Sequence, residues 1–125
     1  MDPLRLLLAD DHPEVLSYLS ARLDREPDLR VVCQAADSEQ ALALTRTYRP
    51  DVVIIDPAMK DGKGFDALKQ ITDSCPGITI VVLTAIVDTA MRIELDRLGI
   101  KLVMTKGADS GQLVGTLTKG FTEST

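Results

Sequence analysis

Five short aliphatic runs punctuate the chain: Leu4–Ala9, Val31–Ala36, Val52–Ile55, Ile78–Leu83 and Leu102–Met104. They are rich in Val, Ile and Leu and do not alternate with polar residues. A strand that is apolar on both faces is buried on both, as in a parallel sheet covered by helices. The segments between them have helical spacing instead. Val15, Leu16, Leu19 and Leu23 form one stripe; Ala41, Leu44 and Tyr48 a second; Phe65, Leu68, Ile71 and Cys75 a third. Met91, Leu95 and Leu98 form a fourth, and Leu113, Leu117 and Phe121 a fifth that Gly111, Gly115 and Gly120 weaken.

The punctuation agrees. Pro13 suits the first turn of a helix with Asp11 or His12 near its N-cap. Asp37 or Ser38 can cap the second helix, and Asp109 or Ser110 the last. Pro27, Pro50 and Pro76 each fall between a helix and the next strand, where they stop the helix. The pattern is (βα)5, an α/β fold in one domain over 1–125, with its core at about 4–120. Residues 121–125 form a tail or the start of a linker. Right-handed crossovers then require an open sheet with helices on both faces.

Composition narrows the function. With 45% apolar, 26% charged and only 3% aromatic residues, this is an ordinary globular chain with an aliphatic core. A net charge of −5 argues against nucleic-acid contact by the domain itself, because no basic stripe exists to meet phosphates. Cys33 and Cys75 sit in apolar patterns and lack metal-ligand spacing, which favours reduced thiols. No apolar run approaches the ~20 residues of a membrane span, and no signal-peptide pattern opens the chain. The expected location is cytoplasmic, with no membrane contact.

In open α/β sheets, ligands sit beyond the carboxyl ends of the strands. Asp10 and Asp11 follow the first run, Asp56 the third, Thr84 the fourth and Lys106 the fifth. Taken singly, Asp11 is a fair N-cap, Asp56 before Pro57 a turn acid, and Lys106 a solvated strand end. Together they place three carboxylates, a hydroxyl and an ammonium on one sheet edge. Clustered carboxylates repel unless a cation lies between them, and a hard divalent ion suits oxygen ligands.

Those residues carry a resemblance. Arg5-Leu-Leu-Leu-Ala-Asp-Asp-His-Pro13, Arg25-Glu-Pro-Asp-Leu-Arg-Val-Val32 and Ala35-Ala-Asp-Ser-Glu-Gln-Ala-Leu42 look like the receiver (CheY-like) domains of two-component response regulators, in particular the NarL/FixJ (LuxR-type) subgroup. Asp10/Asp11, Asp56, Thr84 and Lys106 match the family's five polar positions, and Gly64 its turn glycine. The resemblance implies a flavodoxin-like, doubly wound five-stranded sheet in the order 2-1-3-4-5. It implies that Asp56 accepts a phosphoryl group from a sensor histidine kinase, with Thr84 and Lys106 assisting. Mg2+ or Mn2+ would be held by Asp11, Asp56 and the Ala58 backbone carbonyl, and by Asp10 mainly through water. Such a domain is not an enzyme in the ordinary sense, though it assists its own phosphorylation and slow dephosphorylation. Homodimerisation on phosphorylation, and output through a DNA-binding domain that this chain ends before, are further family expectations.

The sequence departs from the pattern at Val103, where the family usually has Tyr or Phe, at Lys60 in place of Pro, and at Gly107, also in place of Pro. Ala58 and Ile86, two residues after Asp56 and Thr84, offer no polar group to hydrolytic water. His12 reads as a helix-start residue, and Met59, Met91 and Met104 as core filling. Two rival functions remain. A haloacid-dehalogenase-type phosphatase needs a second Asp where Ala58 stands. A phosphorylation-independent adaptor is favoured by Val103 and opposed by the complete set of polar positions.

Overall fold

A computed structural model of the chain describes residues 2–107 and 110–120, without the side chains of Ser110 and Lys119. The elements alternate as β1 (Leu4–Ala9), α1 (Pro13–Asp24), β2 (Leu29–Ala35), α2 (Ser38–Tyr48), β3 (Val52–Ile55), α3 (Gly64–Ser74), β4 (Thr79–Thr84), α4 (Thr89–Arg97), β5 (Leu102–Thr105) and α5 (Ser110–Gly115). A π-helical turn, Thr116–Gly120, continues α5. All pairings are parallel and the order is β2-β1-β3-β4-β5, as expected.

The sheet divides the core into two layers by simple alternation along each strand. Leu7, Ala9, Val53, Ile55 and Val82 face one layer, with Ala41, Leu68, Ile71 and Leu95 from α2, α3 and α4. Leu6, Leu8, Val52, Ile54 and Val81 face the other, with Leu16, Leu19 and Leu23 from α1 and Leu113 and Leu117 from α5. Met59 is buried, and Met91 and Met104 pack against these layers, as core filling should. Cys75 is buried and Cys33 half-buried, both as free thiols. Burial raises the Cys33 pKa against the opposing charge of Arg5, so the sulfur stays a thiol.

Two expectations need correction. The second strand begins at Leu29, ahead of its most apolar stretch, because an edge strand pairs only with β1 and tolerates the exposed Arg30. In α2 the inward position belongs to Thr45, whose hydroxyl donates to the Ala41 carbonyl at 2.6 Å, while Tyr48 is exposed. The bond satisfies the polar group and leaves only a methyl to pack. His12 and Asp37 are the N-caps of α1 and α2, and Asp37 accepts the Gln40 N–H. Ser110 is the first residue of α5; Asp109 and Phe121 lie outside the described residues, as does the 121–125 tail.

Candidate functional site

Chain order reverses between β1 and β3, and the sheet's hydrogen-bond ladder runs one residue past each strand end there. The Asp10 N–H donates to the Ala35 carbonyl and the Asp56 N–H to the Ala9 carbonyl, both at 3.0 Å. At the other side, the Lys106 N–H donates to the Thr84 carbonyl at 2.7 Å. The backbones of Asp10, Asp56 and Lys106 therefore take their positions from the sheet itself.

Their side chains meet. Lys106 Nζ lies 2.7 Å from Asp56 Oδ2 and 2.6 Å from Asp10 Oδ2, so one ammonium bridges two carboxylates. Both carboxylates are 5% exposed and the lysine 17%, which makes the charges interact under little solvent screening. Burial pulls the Lys106 pKa down, but the hydrogen bonds and charges of Asp10 and Asp56 outweigh it, and the pKa lies above the ordinary lysine value. The other Asp56 oxygen, Oδ1, accepts the Ala58 N–H at 2.9 Å.

Asp11 is held differently. Its Oδ2 accepts the Lys60 N–H at 2.7 Å, tying the end of β1 to the loop that follows β3. Its Oδ1 is buried and makes no hydrogen bond; His12 Nδ1 lies 3.1 Å away but bonds Asp10 Oδ1 instead, at 2.9 Å. A buried carboxylate oxygen without a hydrogen bond is costly unless something cationic completes it. Ligand atoms of Asp10, Asp11 and His12 converge within 4.8 Å. This donor set suits a divalent cation, and hard oxygen donors dominate it.

The structure thus brings Asp10, Asp11, Asp56 and Lys106 to one sheet edge. Thr84 is buried at the adjoining strand end and linked to Lys106 through its backbone. The Asp56 carboxylate meets Lys106 through Oδ2 and the Ala58 N–H through Oδ1. His12, expected only to start α1, also turns its ring onto the acidic pair; the adjacency Asp10-Asp11-His12 was the available signal. Val103 is half-buried and packs against the α2–α4 layer, leaving no rotating aromatic at that position.

The comparison with known proteins agrees with this arrangement. The response regulator receiver domain family matches residues 6–118. The chain is 32% identical over 120 residues to the transcriptional regulatory protein LiaR of Bacillus subtilis, covering 94% of this chain and 57% of that protein. It is 34% identical over 123 residues to the oxygen regulatory protein NreC of Staphylococcus aureus, covering 95% and 57%. It therefore spans little more than half the length of these relatives. Among solved structures, a LuxR-family two-component response regulator from Aurantimonas superposes with a TM-score of 0.85 at 28% identity, over 94% of this chain and 84% of that one. Among the described residues, no helix is long and apolar enough to cross a membrane. The chain belongs to the receiver domains of two-component response regulators, of the LuxR/NarL type.

Proposed function

We propose that Asp56 is the phospho-acceptor of this domain, which takes its phosphoryl group from a phosphohistidine of a sensor histidine kinase. Receiver domains of this family are signalling proteins in which phosphorylation and Mg2+ dependence are general, and they interact with histidine kinases and often dimerise. The observation that supports Asp56 most directly is its nearly buried carboxylate 2.7 Å from the Lys106 ammonium at the switch point of the sheet; Asp10, which shares that ammonium, is tied through its other oxygen to the His12 N–H and ring.

In the transfer, an Asp56 oxygen forms a bond to phosphorus as the P–N bond breaks, and the electron pair leaves on the kinase imidazole. Such a reaction needs alignment and charge neutralisation more than proton shuttling. Lys106 is placed to follow the charge from the Asp56 carboxylate to a phosphoryl oxygen. Thr84 donates its hydroxyl to another oxygen and draws the segment after β4 inward, the local event that biases a two-state switch. Asp11, Asp56 and the Ala58 carbonyl would hold Mg2+ or Mn2+, with Asp10 acting through water; the Asp11 Oδ1, buried and without a hydrogen bond, supports this set. When bound, the ion neutralises phosphoryl oxygens. Residues 1–125 act as a single receiver domain in the cytoplasm, and the modified domain dimerises and drives transcription through a DNA-binding domain.

Incubation with Mg2+ and acetyl phosphate, followed by intact mass measurement, tests this. A gain of one phosphoryl that disappears in Asp56→Ala is expected. An unchanged mass in the unaltered chain would instead favour an adaptor, for which Val103 speaks, and continuous phosphate release would favour a phosphatase.

The modified domain should also be long-lived. Ala58 and Ile86 flank the approach of water to the acyl phosphate, both are exposed, and neither can orient or activate it. Decay followed in Mg2+ buffer is expected to take far longer than seconds. Replacing Ala58 with Asn should hasten it, and a wild-type lifetime of seconds would show that other groups manage the water.

A further inference from the structure

Asp61 lies in the loop between β3 and α3, and its carboxylate accepts three hydrogen bonds. Oδ2 takes the Ser38 backbone N–H at 2.6 Å; Oδ1 takes the Ser38 hydroxyl and the Lys63 N–H, each at 2.9 Å. Desolvation, the largest single influence, raises the Asp61 pKa, but these bonds and the charge of Lys63 together outweigh it and lower the value. Ser38 is the first residue of α2 and is 2% exposed, so a surface loop has reached across to a buried helix start.

Asp37 accepts the Gln40 N–H at 2.7 Å and Gln40 Oε1 accepts the Ala36 N–H at 2.8 Å, so the start of α2 is capped in part from its own segment. Asp61 takes the Ser38 N–H, a further free donor of the first turn, and so ties the loop to the helix start. Asp56 opens that loop, Ala58 and Lys60 lie within it, and Asp61 directly follows the residue whose N–H orients Asp11. Two consecutive residues are thus anchored to two different βα units, which fixes where the backbone between them runs.

We infer that Asp61 is a positioning residue: through Ser38 it holds the acceptor loop so that the Lys60 N–H aims Asp11, and the Ala58 carbonyl is presented, toward the divalent cation. This rests on the proposed assignment of Asp11, Asp56 and Ala58 to that cation. Groups that orient metal ligands at one remove commonly change affinity by about 10- to 100-fold.

Mg2+ titration calorimetry on the whole chain, with hydrogen exchange of the Lys60 amide in metal-free protein, tests it. Asp61→Ala should bind Mg2+ about tenfold more weakly and exchange the Lys60 amide faster. Ser38→Ala should move both readouts in the same direction by less. Asp61→Asn, which keeps one acceptor oxygen, should fall between wild type and Asp61→Ala. The double variant should be no worse than Asp61→Ala, because the hydroxyl bond lost in Ser38→Ala is one of the three that Asp61→Ala already removes. With acetyl phosphate, the loss should appear in the Mg2+ concentration needed and vanish at saturating Mg2+. A clamp that is merely structural would lower the melting temperature while leaving Mg2+ affinity and Lys60 exchange unchanged, and that result overturns the inference alone. A wild-type chain that binds no Mg2+ overturns the parent assignment and this one with it. Should Asp61→Ala fail to fold, Ser38→Ala and Asp61→Asn decide the matter by the same readouts.

Discussion

Lys106→Met should slow phosphorylation of Asp56 by about 100-fold while making the domain bind Mg2+ more tightly. The opposite signs follow from one geometry. The ammonium sits 2.7 Å from Asp56 and 2.6 Å from Asp10, so in the resting domain it competes with any cation for those carboxylates. Methionine fills a similar volume and removes the competitor, but it also removes the charge that must follow the phosphoryl oxygens. Without metal, the variant leaves two nearly buried carboxylates facing each other, and breaking such a pair costs about 3 kcal/mol. Mg2+ should return part of that stability through linkage to binding. Because the Lys106 pKa is raised, its stabilisation is complete below the ordinary lysine value and is lost only as the pH climbs through the higher folded value. The stability gap between wild type and Lys106→Met should therefore hold steady upward from neutral pH and close only in strong alkali. Melting curves with and without Mg2+, and rates with acetyl phosphate, provide the check. A phosphorylation rate within twofold of wild type would remove Lys106 from the chemistry.

What could be read from the chain follows from where burial is decided. β1 and β3 are central, so Leu6–Ala9 and Val52–Ile55 are covered on both faces and their composition alone marks them. At the edge, β2 takes its start from pairing with β1; its register even shifts between Leu6 and Leu7, a feature no local pattern carries. The site was legible because a parallel sheet gathers all its carboxyl ends on one side, so polar residues following apolar runs become neighbours whatever their separation in sequence. Side-chain partners were not legible. Nothing around Lys106 says that it bridges Asp10 and Asp56 rather than reaching solvent, and nothing around Asp61 or Ser38 points to the other. Such pairs depend on rotamers and loop paths that only the assembled fold determines. Thr45 in place of Tyr48 makes the same point on a smaller scale: a hydrophobic scale prefers the tyrosine, while the helix turns the threonine inward and satisfies its hydroxyl.

Gly64→Ala should be the most damaging single-methyl change in the domain, and the reason is contact rather than backbone conformation. A Cβ built on Gly64 would overlap the Pro57 carbonyl oxygen and lie 2.6 Å from its carbon, far inside any tolerable separation. The obstacle is backbone, so no rotamer change relieves it, and either α3 must retreat or the loop after Asp56 must move. Overpacking of this kind costs about 3 kcal/mol, which for a domain of this size lowers the melting temperature by roughly 10 °C. The displaced peptide joins Pro57 to Ala58, next to the acceptor, so Mg2+ affinity and phosphorylation should fall together with stability. Gly77→Ala is the matching control, because nothing lies within 4 Å of a Cβ there and the backbone is not left-handed. It should leave function unchanged and alter stability by no more than about 1 kcal/mol, with the sign favouring the folded state as the unfolded chain loses freedom. Equal melting temperatures for the two variants would mean that the approach of α3 to Pro57 does not constrain the acceptor loop. Unequal melting temperatures with equal Mg2+ affinities would confine that constraint to stability.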